Sequence, residues 1–244
     1  MNAAPRRTLY QWQKAAAGIF FPQRLCVNCG AVSPDSPLCP DCRKIRQTLR
    51  PCPHCATFIA PRETADYCCG ECRHQRPPFA LARAALPYQG LLRNRLLDFK
   101  YHGATGLRRV FAALLLETLV SRFSCLDFDA VTPVPLSARR LADRGYNQAE
   151  LLSSLLSLEL DIPHRPQYLR RVKDTQPLAS LNRRQREQEL TGAFQGLSQA
   201  EGQHILLIDD IYTSGATAVT ATRALLKAGA AGVSVLTVAA GEDL

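Results

Sequence analysis

The sequence has no apolar run long enough to cross a membrane. The run at positions 15–21 is too short for a span, and the run at positions 110–120 is interrupted by Glu117, which indicates a helix in a protein core. The pair Arg6 and Arg7 could begin a twin-arginine export signal, but no long apolar segment follows it. We therefore expect no membrane span and a cytoplasmic location.

The sequence also lacks a G-x-x-x-x-G-K-[ST] loop, which argues against a nucleotide triphosphatase. It has no low-complexity tail and no internal repeat apart from its Cys-x-x-Cys pairs. Its 244 residues suffice for one sizeable core and a small additional module. The formal net charge of +9 suits anionic partners such as phosphates or nucleic acid.

The stretch HILLIDDIYTSGAT at positions 204–217 organises the second half of the chain. The aliphatic residues at positions 205–208 show no polar alternation, which predicts a strand of a parallel sheet buried on both faces. Asp209 and Asp210 end this run, and a loop of small residues leads into a predicted helix at positions 216–228. An ordinary strand–turn–helix whose aspartates only cap the helix is the alternative interpretation.

The loop in this stretch is suited to bind a phosphate, because backbone N–H groups, hydroxyls and the helix dipole can all point at one anion. Carboxylates would repel that phosphate. We therefore expect Asp209 and Asp210 to accept hydrogen bonds from sugar hydroxyls or to hold a metal, so that the pattern predicts a site for a phosphorylated sugar. The predicted phosphate-binding residues are Thr213, Ser214, Gly215, Ala216 and Thr217.

Nine of the ten cysteines lie before residue 73, and eight of these form Cys-x-x-Cys pairs. In such a pair both sulfurs lie on one side of a tight turn, and two pairs make one Cys₄ zinc site. We predict two structural zinc ions in sequential zinc ribbons, with an interleaved pairing as the alternative. The predicted ligands are Cys26, Cys29, Cys39, Cys42, Cys52, Cys55, Cys69 and Cys72.

Other interpretations of these cysteines remain open. A disulfide framework would suit an exported protein, for which the sequence shows no signal. Iron could occupy the rubredoxin-like knuckle CVNCG at positions 26–30. Cys68 adjoins the fourth pair and could replace one of its ligands. We expect His54 and His74 to be bystanders, because each site already has four thiolates.

The rest of the chain predicts an α/β fold. Strands are predicted at positions 82–88, 129–135 and 232–240, and helices at 91–99 and 106–122. The order strand–loop–helix–strand around the phosphate loop indicates a parallel βαβ unit with its ligand at the carboxyl ends of the strands. Prolines 77 and 78 indicate a boundary. The predicted parts are an N-terminal segment at 1–24, a double zinc ribbon at 25–76 and the α/β domain at 79–244.

Basic residues precede the predicted phosphate strand. Lys100, in KYHG at positions 100–103, offers a mobile point charge beside a glycine that permits close approach. Arg144 begins RGYNQ at positions 144–148, and Arg184 lies at a predicted helix start after the basic loop at 169–177. Each could be a solvated surface charge, but a mobile cationic loop is what a pyrophosphate would require.

The stretch at 204–217 closely resembles the phosphoribosyl-pyrophosphate (PRPP) motif of type I phosphoribosyltransferases. Over nearly its whole length the chain resembles the ComF/GntX family of competence-type, phosphoribosyltransferase-like proteins. Departures from the family pattern are mild, with Ile211 and Ser214 where Val and Thr are frequent. The segments that carry the resemblance are this stretch, the Cys pairs, FKYHG at 99–103, PVP at 133–135, RGYNQ at 144–148, Thr175-Gln176 and Arg184.

The resemblance implies a type I phosphoribosyltransferase fold, a parallel sheet flanked by helices, for residues 79–244. It implies that residues 213–217 hold the ribose 5′-phosphate and that Asp209 and Asp210 bind the 2′- and 3′-hydroxyls. Lys100, with Mg²⁺ and Arg144 or Arg184, would meet the pyrophosphate. It also implies a link to DNA uptake or utilisation, with single-stranded DNA as a ligand and a DNA-uptake or helicase-type protein as a partner.

Three functions are compatible with these residues. The first is a phosphoribosyl-binding module in DNA uptake or utilisation, with the zinc ribbons docking a protein or DNA. The second is an active PRPP-dependent phosphoribosyltransferase, and the third is a regulator that has lost catalysis. We favour binding over turnover, because no nucleobase-specific signature identifies an acceptor.

Overall fold

The computed structural model of the protein describes residues 25–59, 68–175 and 183–243. The predicted N-terminal segment at 1–24, Gln176 and the side chain of Arg184 lie outside this description. Every described helix is too short or insufficiently apolar to cross a membrane.

The α-helices are α1 (Pro40–Thr48), α2 (Gly70–His74), α3 (Gly90–Tyr101), α4 (Leu107–Arg122), α5 (Ala138–Arg144), α6 (Gln148–Leu160), α7 (Arg183–Leu190) and α8 (Ala216–Lys227). The strands are β1 (Arg50–Pro51), β2 (Phe58–Ile59), β3 (Leu81–Pro87), β4 (Ala130–Pro133), β5 (Leu169–Arg171), β6 (Phe194–Gly196), β7 (His204–Tyr212), β8 (Gly232–Ala240) and β9 (Glu242–Asp243).

A four-stranded parallel sheet with the order β3-β8-β7-β4 forms the centre of the structure. Helix α8 connects the neighbouring strands β7 and β8, so the predicted βαβ unit is present. The predicted fold class, a parallel sheet flanked by helices with cysteine clusters before it, is confirmed. Because the strands are parallel, their carboxyl ends meet at one edge of the sheet.

Strand β7 is buried on both faces because helices cover both sides of the sheet. Leu206 and Ile208 belong to a first core with α3, α4 and α6, whereas Ile205 and Leu207 belong to a second core with α8. Successive side chains of a strand point to opposite faces, so the unbroken aliphatic run fills both cores. The strand continues past the two aspartates to Tyr212, beyond the aliphatic run that predicted it.

A pair of short strands beside the site was not predicted from the sequence. Strands β5 and β6 form an antiparallel pair, in which Arg171 lies opposite Phe194, where only a basic loop was predicted. Strands of three residues carry too little alternation to be distinguished from a loop in the sequence. The pairing fixes the backbone of Arg171 beside the second core, to which Phe194 belongs.

The cysteine-rich residues are packed into both cores. Cys26, Val27 and Leu38 belong to the first core, and the buried cysteines at positions 52, 55, 69 and 72 belong to the second. Strand β2 pairs with β1 and with β9, so this region shares a small sheet with the last strand of the chain. The boundary between 25–76 and 79–244 stays a prediction, and both cores contain residues from each side of it.

Arg46 on α1 attaches the first cysteine-rich segment, residues 25–48, to α4. Its guanidinium donates to Glu117 Oε2 at 2.9 Å and to Thr118 Oγ1 at 2.9 Å, and its side chain is only 8% exposed. Burial lowers the pKa of Arg46, and Glu117 opposes this shift. A buried charge is tolerated only when it is paired, so Arg46 and Glu117 depend on each other.

We predict that Arg46→Ala lowers the free energy of unfolding by about 2–4 kcal/mol, because it leaves Glu117 and Thr118 without this partner. Urea denaturation measures the loss. The matched control is Arg43→Ala on the exposed face of the same helix, which we expect to change stability by less than about 0.5 kcal/mol. Equal losses in both variants would contradict the docking role of Arg46.

Candidate functional site

The predicted phosphate loop lies between β7 and the first turn of α8. Gly215 has a φ of 76°, in the left-handed region, directly before the helix. A Cβ atom there would overlap the Tyr212 hydroxyl, so backbone conformation and space both require glycine. The N–H groups of the first turn, which begins at Ala216, have no acceptor within the helix and face the loop. This geometry suits an anion, and the assignment of residues 213–217 to a phosphate stays a prediction.

Arg186 reaches the loop from α7. Its guanidinium donates to Thr213 Oγ1 at 3.1 Å, while Ser214 Oγ accepts a bond from the Ala216 N–H at 3.5 Å. The sequence pattern indicates Arg184 in the same basic run and gives no signal for Arg186. Residues two apart on a helix point in different directions, so only the register of α7 could have identified Arg186.

The structure brings Lys100 to the acidic pair. Lys100 Nζ lies 3.1 Å from Asp210 Oδ2, and the Asp210 N–H donates to Asp209 Oδ1 at 2.9 Å. Asp210 is buried and Asp209 is half-buried. Three residues that are separated by up to 110 positions in the chain therefore form one ionic cluster at the carboxyl edge of the sheet.

The cluster contains one cation and two carboxylates, and burial makes this excess of negative charge costly. Burial raises the pKa of Asp209 to about 7, repulsion from Asp210 adds to the shift, and Lys100 and Arg171 oppose it. Burial alone would lower the pKa of Lys100, but Asp210 and Asp209 outweigh it and raise that pKa. Lys100 thus faces two carboxylates, and hydroxyl donors from a ligand would satisfy them without adding negative charge.

The RGYNQ segment holds the end of α3 in place. The Tyr146 hydroxyl donates to the Phe99 carbonyl at 2.6 Å, and Gln148 Nε2 donates to the Lys100 carbonyl at 3.2 Å. Asn147 caps α6 by accepting from the Ala149 N–H at 3.1 Å. These contacts position Lys100, which is a structural role that the sequence analysis did not assign.

Arg144 lies beside this end of α3. Its guanidinium is 5.0 Å from the centre of the Tyr101 ring and donates to Gln148 Oε1. It is therefore packed against an aromatic ring, unlike the solvated loop charge that was its alternative interpretation. Its predicted contact with pyrophosphate stays a prediction, as does that of Arg184.

Two further arginines converge on Thr175. Arg140 donates to the Thr175 carbonyl at 3.2 Å, and Arg171 donates to the Thr175 hydroxyl. Burial lowers the pKa of Arg171, nearby Arg140 lowers it further, and Asp174 and Asp209 oppose the shift. The Arg171 guanidinium packs 5.3 Å from the centre of the Phe194 ring. The basic loop was the only sign of this cluster in the sequence.

The eight paired cysteines form two groups of four. Within each group all sulfurs lie within 4.8 Å of one another, and the sulfurs of Cys29 and Cys39 are 3.6 Å apart, as are those of Cys55 and Cys69. Tetrahedral Zn–S bonds of about 2.3 Å would place sulfurs about 3.8 Å apart, whereas a disulfide would bring them to about 2.0 Å. Two zinc ions could therefore be held, and sequential pairing is confirmed. The first cluster is Cys26, Cys29, Cys39 and Cys42, and the second cluster is Cys52, Cys55, Cys69 and Cys72.

The thiols of the second cluster influence one another strongly. A hydrogen bond from Cys55 lowers the pKa of Cys52 to about 4 and raises the pKa of Cys55 itself. Four thiols this close do not all ionise without a cation, so a metal would displace protons on binding. Among the described residues, Cys68, His54 and His74 belong to neither cluster, as expected for the two histidines.

A cleft of about 790 Å³ separates the second cluster from α7 and α8. Thr213 and Ser214 belong to its lining, so the cleft opens onto the predicted phosphate loop. All five charged residues of its lining are exposed, and three cations against two glutamates leave a formal charge of +1. The cleft therefore offers positive charge to an anionic ligand. The charged residues in its lining are Arg76, Arg223, Lys227, Glu71 and Glu187.

Proteins named for competence and DNA utilisation are similar to this chain along most of its length, which confirms the resemblance found in the motifs. DNA utilization protein YhgH of Salmonella typhimurium is 32% identical over 202 residues, covering 81% of this chain and 88% of that protein. Competence protein F of Haemophilus influenzae is 32% identical over 204 residues with the same coverage. Competence protein ComFC of Bacillus subtilis is 29% identical over 215 residues, covering 84% and 85%.

A similar solved structure is glutamine phosphoribosylpyrophosphate amidotransferase from B. subtilis complexed with ADP and GMP, at 19% identity and a TM-score of 0.39. The similarity covers 58% of this chain and 30% of that chain, so this chain spans less than a third of that protein. No protein-family model matches the sequence.

We predict opposite effects of neutralising the two carboxylates. Asp209→Asn should raise the midpoint of thermal unfolding at pH 8 by about 2–4 °C, because a pKa raised to about 7 means that the charged form is costly in the folded protein. This cost is fully present above pH 7 and disappears as the pH falls towards the ordinary value of about 4, so the gain should shrink at pH 5.

Asp210→Asn is the matched variant, and it should lower the midpoint at both pH values, because Lys100 loses the carboxylate 3.1 Å away. Calorimetric scans of the ligand-free protein at pH 5 and pH 8 measure both effects. A lower midpoint for Asp209→Asn at pH 8 would contradict the assignment of excess negative charge to this site.

Proposed function

The chain belongs to the family of competence protein F and DNA utilization protein YhgH, and we propose that it binds a ribose 5-phosphate ligand of the PRPP type and acts in DNA uptake or utilisation. One observation carries the binding half of this proposal. The acidic pair lies near the carboxyl end of β7, two residues before a glycine-containing loop at a helix N-terminus, and Lys100 lies 3.1 Å from Asp210.

Under this proposal each part of the site meets a different part of the ligand. Residues 213–217 hold the 5′-phosphate through their N–H groups and hydroxyls, and Arg186, which contacts Thr213, adds positive charge there. Asp209 and Asp210 accept hydrogen bonds from the 2′- and 3′-hydroxyls of the ribose. The carboxylates that would repel a phosphate are thus placed against neutral donors.

Cations from several elements would meet the pyrophosphate. Lys100 at the end of α3, Arg144 on α5 and Arg184 on α7 are the residues that the sequence predicts for this role. We add Arg171, because its charge acts on Asp209 and its guanidinium is held by Thr175 and Phe194. Mg²⁺ would accompany the pyrophosphate and neutralise part of its charge.

Catalytic transfer of the phosphoribosyl group is the second candidate function, and the intact ionic cluster of Lys100 with two carboxylates favours it. In that reaction the bond from C1 to pyrophosphate breaks, positive charge develops at C1, and an acceptor attacks. Lys100 and Arg171 would stabilise the departing pyrophosphate. No acceptor is indicated by the residues, so ligand binding is the conclusion and a non-catalytic regulator remains compatible with it.

The names of the relatives and the cationic cleft support the DNA half of the proposal. Arg223 and Lys227 lie four residues apart on α8, so their side chains emerge on the same face of the helix, and both line the cleft. A single strand in the cleft would place its phosphates against these cations. The second cluster borders the same cleft, so the ribbon could contact the strand or dock a DNA-uptake or helicase-type partner protein.

We predict that the zinc-loaded protein binds PRPP–Mg²⁺ in isothermal titration calorimetry, and that Asp209→Asn lowers the affinity about tenfold or more, because the ribose hydroxyls lose a charged acceptor. Asp35→Asn, at an exposed position in the first cysteine-rich segment, is the control and should bind with unchanged affinity. Absence of binding by the unaltered protein would refute the ligand half of the proposal.

We predict that a short single-stranded DNA binds with an affinity that falls as salt rises, measured by fluorescence anisotropy. Arg223→Glu together with Lys227→Glu should weaken binding and lower the slope of log K against log salt by about 1–2, since two phosphate contacts are lost. Arg165→Glu is the control, because Arg165 is exposed and lies outside the cleft. Failure to bind DNA at low salt would remove the DNA half.

A further inference from the structure

Tyr212 lies between the second cluster and the predicted phosphate loop. It is the last residue of β7, immediately before Thr213, yet only 7% of it is exposed. Its ring packs edge-on against Phe79, with ring centres 6.3 Å apart. It shares the second core with all four cysteines of the second cluster.

The Tyr212 hydroxyl faces both neighbours at once. On one side the Cys55 sulfur is a close neighbour in the second core, where Tyr212 packs with all four cysteines of the second cluster. On the other side it occupies the space that a Cβ atom of Gly215 would need. The left-handed turn of the loop is therefore packed against a side chain that shares its core with the cluster cysteines.

The backbone makes a second connection between the same two regions. The Tyr212 carbonyl accepts from the Gly241 N–H at 2.9 Å, and the Gly241 carbonyl accepts from the Phe58 N–H at 3.2 Å. Phe58 begins β2, and its neighbour Thr57 accepts a bond from the Cys52 N–H at 2.8 Å. Backbone hydrogen bonds and the peptide bond between Thr57 and Phe58 thus connect a cluster cysteine to the residue that precedes the loop.

The second ribbon, which holds the second cluster, is described at residues 50–59 and 68–76 and has little regular structure to keep these contacts in place. It consists of the two-residue strands β1 and β2 and the five-residue helix α2. Fixing four buried sulfurs in one tetrahedron would contribute directly to its order. The first cluster differs, because its cysteines Cys26, Cys39 and Cys42 belong to the first core, on the opposite side of the sheet from Tyr212.

We propose that Tyr212 is a positioning residue through which the second cluster sets the geometry of the phosphate loop, so that sugar-phosphate binding depends on the order of the second cluster and not on that of the first. The inference rests on the proposed function, because the affinity for PRPP is the measurement that reveals a change in the geometry of the phosphate loop. It assigns the second ribbon a role in the ligand site that is separate from any contact with DNA or a partner protein.

Tyr212→Phe tests the proposal, because it keeps the ring and removes only the hydroxyl. We expect the affinity for PRPP–Mg²⁺ in calorimetry to fall about fivefold to tenfold, because the turn at Gly215 loses the polar group that packs against it. Zinc content should stay at about two per chain, and the unfolding midpoint should change by less than about 3 °C. Tyr168→Phe is the matched control, since Tyr168 is also 7% exposed in the second core, and it should bind as the parent does.

Protein loaded with ¹¹³Cd in place of zinc gives a readout that a merely structural tyrosine would not move. Two ¹¹³Cd resonances are expected, and Cys72→Ser and Cys29→Ser assign them to the second and first clusters. PRPP should shift the second-cluster resonance and leave the other in place. In Tyr212→Phe, titrated to the same saturation, this shift should be lost or greatly reduced.

The outcomes distinguish the inference from the function on which it rests. If the parent protein binds PRPP but Tyr212→Phe binds equally well, or if PRPP leaves the second-cluster resonance unmoved, the coupling is refuted and the proposed ligand stands. If the metal-loaded parent protein does not bind PRPP at all, both are refuted. Loss of zinc in Tyr212→Phe would also refute the inference, since it would make Tyr212 a determinant of cluster stability.

Discussion

Strand β7 has apolar side chains on both faces, so both faces of the sheet must be covered by other apolar groups. Most of the other elements are arranged to provide this cover. Helices α3, α4 and α6 cover one face and α8 covers the other. Each cysteine cluster is packed into one of these two cores. The cysteine-rich region thus completes the cover of the sheet, and its order and that of the ligand site are physically connected.

The same burial explains the chemistry at the end of β7. A strand enclosed on both sides delivers Asp209 and Asp210 to a poorly hydrated edge, where burial and mutual repulsion raise the pKa of Asp209 to about 7. Lys100 offsets part of this cost, and its backbone carbonyl accepts a hydrogen bond from Gln148 Nε2. Hydrogen-bond donors of a ligand would stabilise the two carboxylates, which are costly in the empty site. Charged groups that are destabilised in this way are common in binding sites.

The parts of the fold and site that could be predicted are those encoded by neighbouring residues. The aliphatic run with its two aspartates and small loop predicted β7, its loop and α8, and the Cys-x-x-Cys spacing predicted sequential clusters. The hairpin of β5 and β6 was missed because its strands are too short to show alternation. Arg171 and Arg186 were missed because their roles depend on that hairpin and on the register of α7.

The sequence by itself determined the chemistry available to this protein: four Cys pairs, a phosphate-type loop with two carboxylates, and an excess of arginine. Local spacing is sufficient for these, because each motif acts through residues a few positions apart. Only the tertiary structure decided that Lys100 faces Asp210, that the RGYNQ segment positions α3, and that Tyr212 lies between the second cluster and Gly215. Those contacts join distant parts of the chain, and the packing of the two cores brings them together.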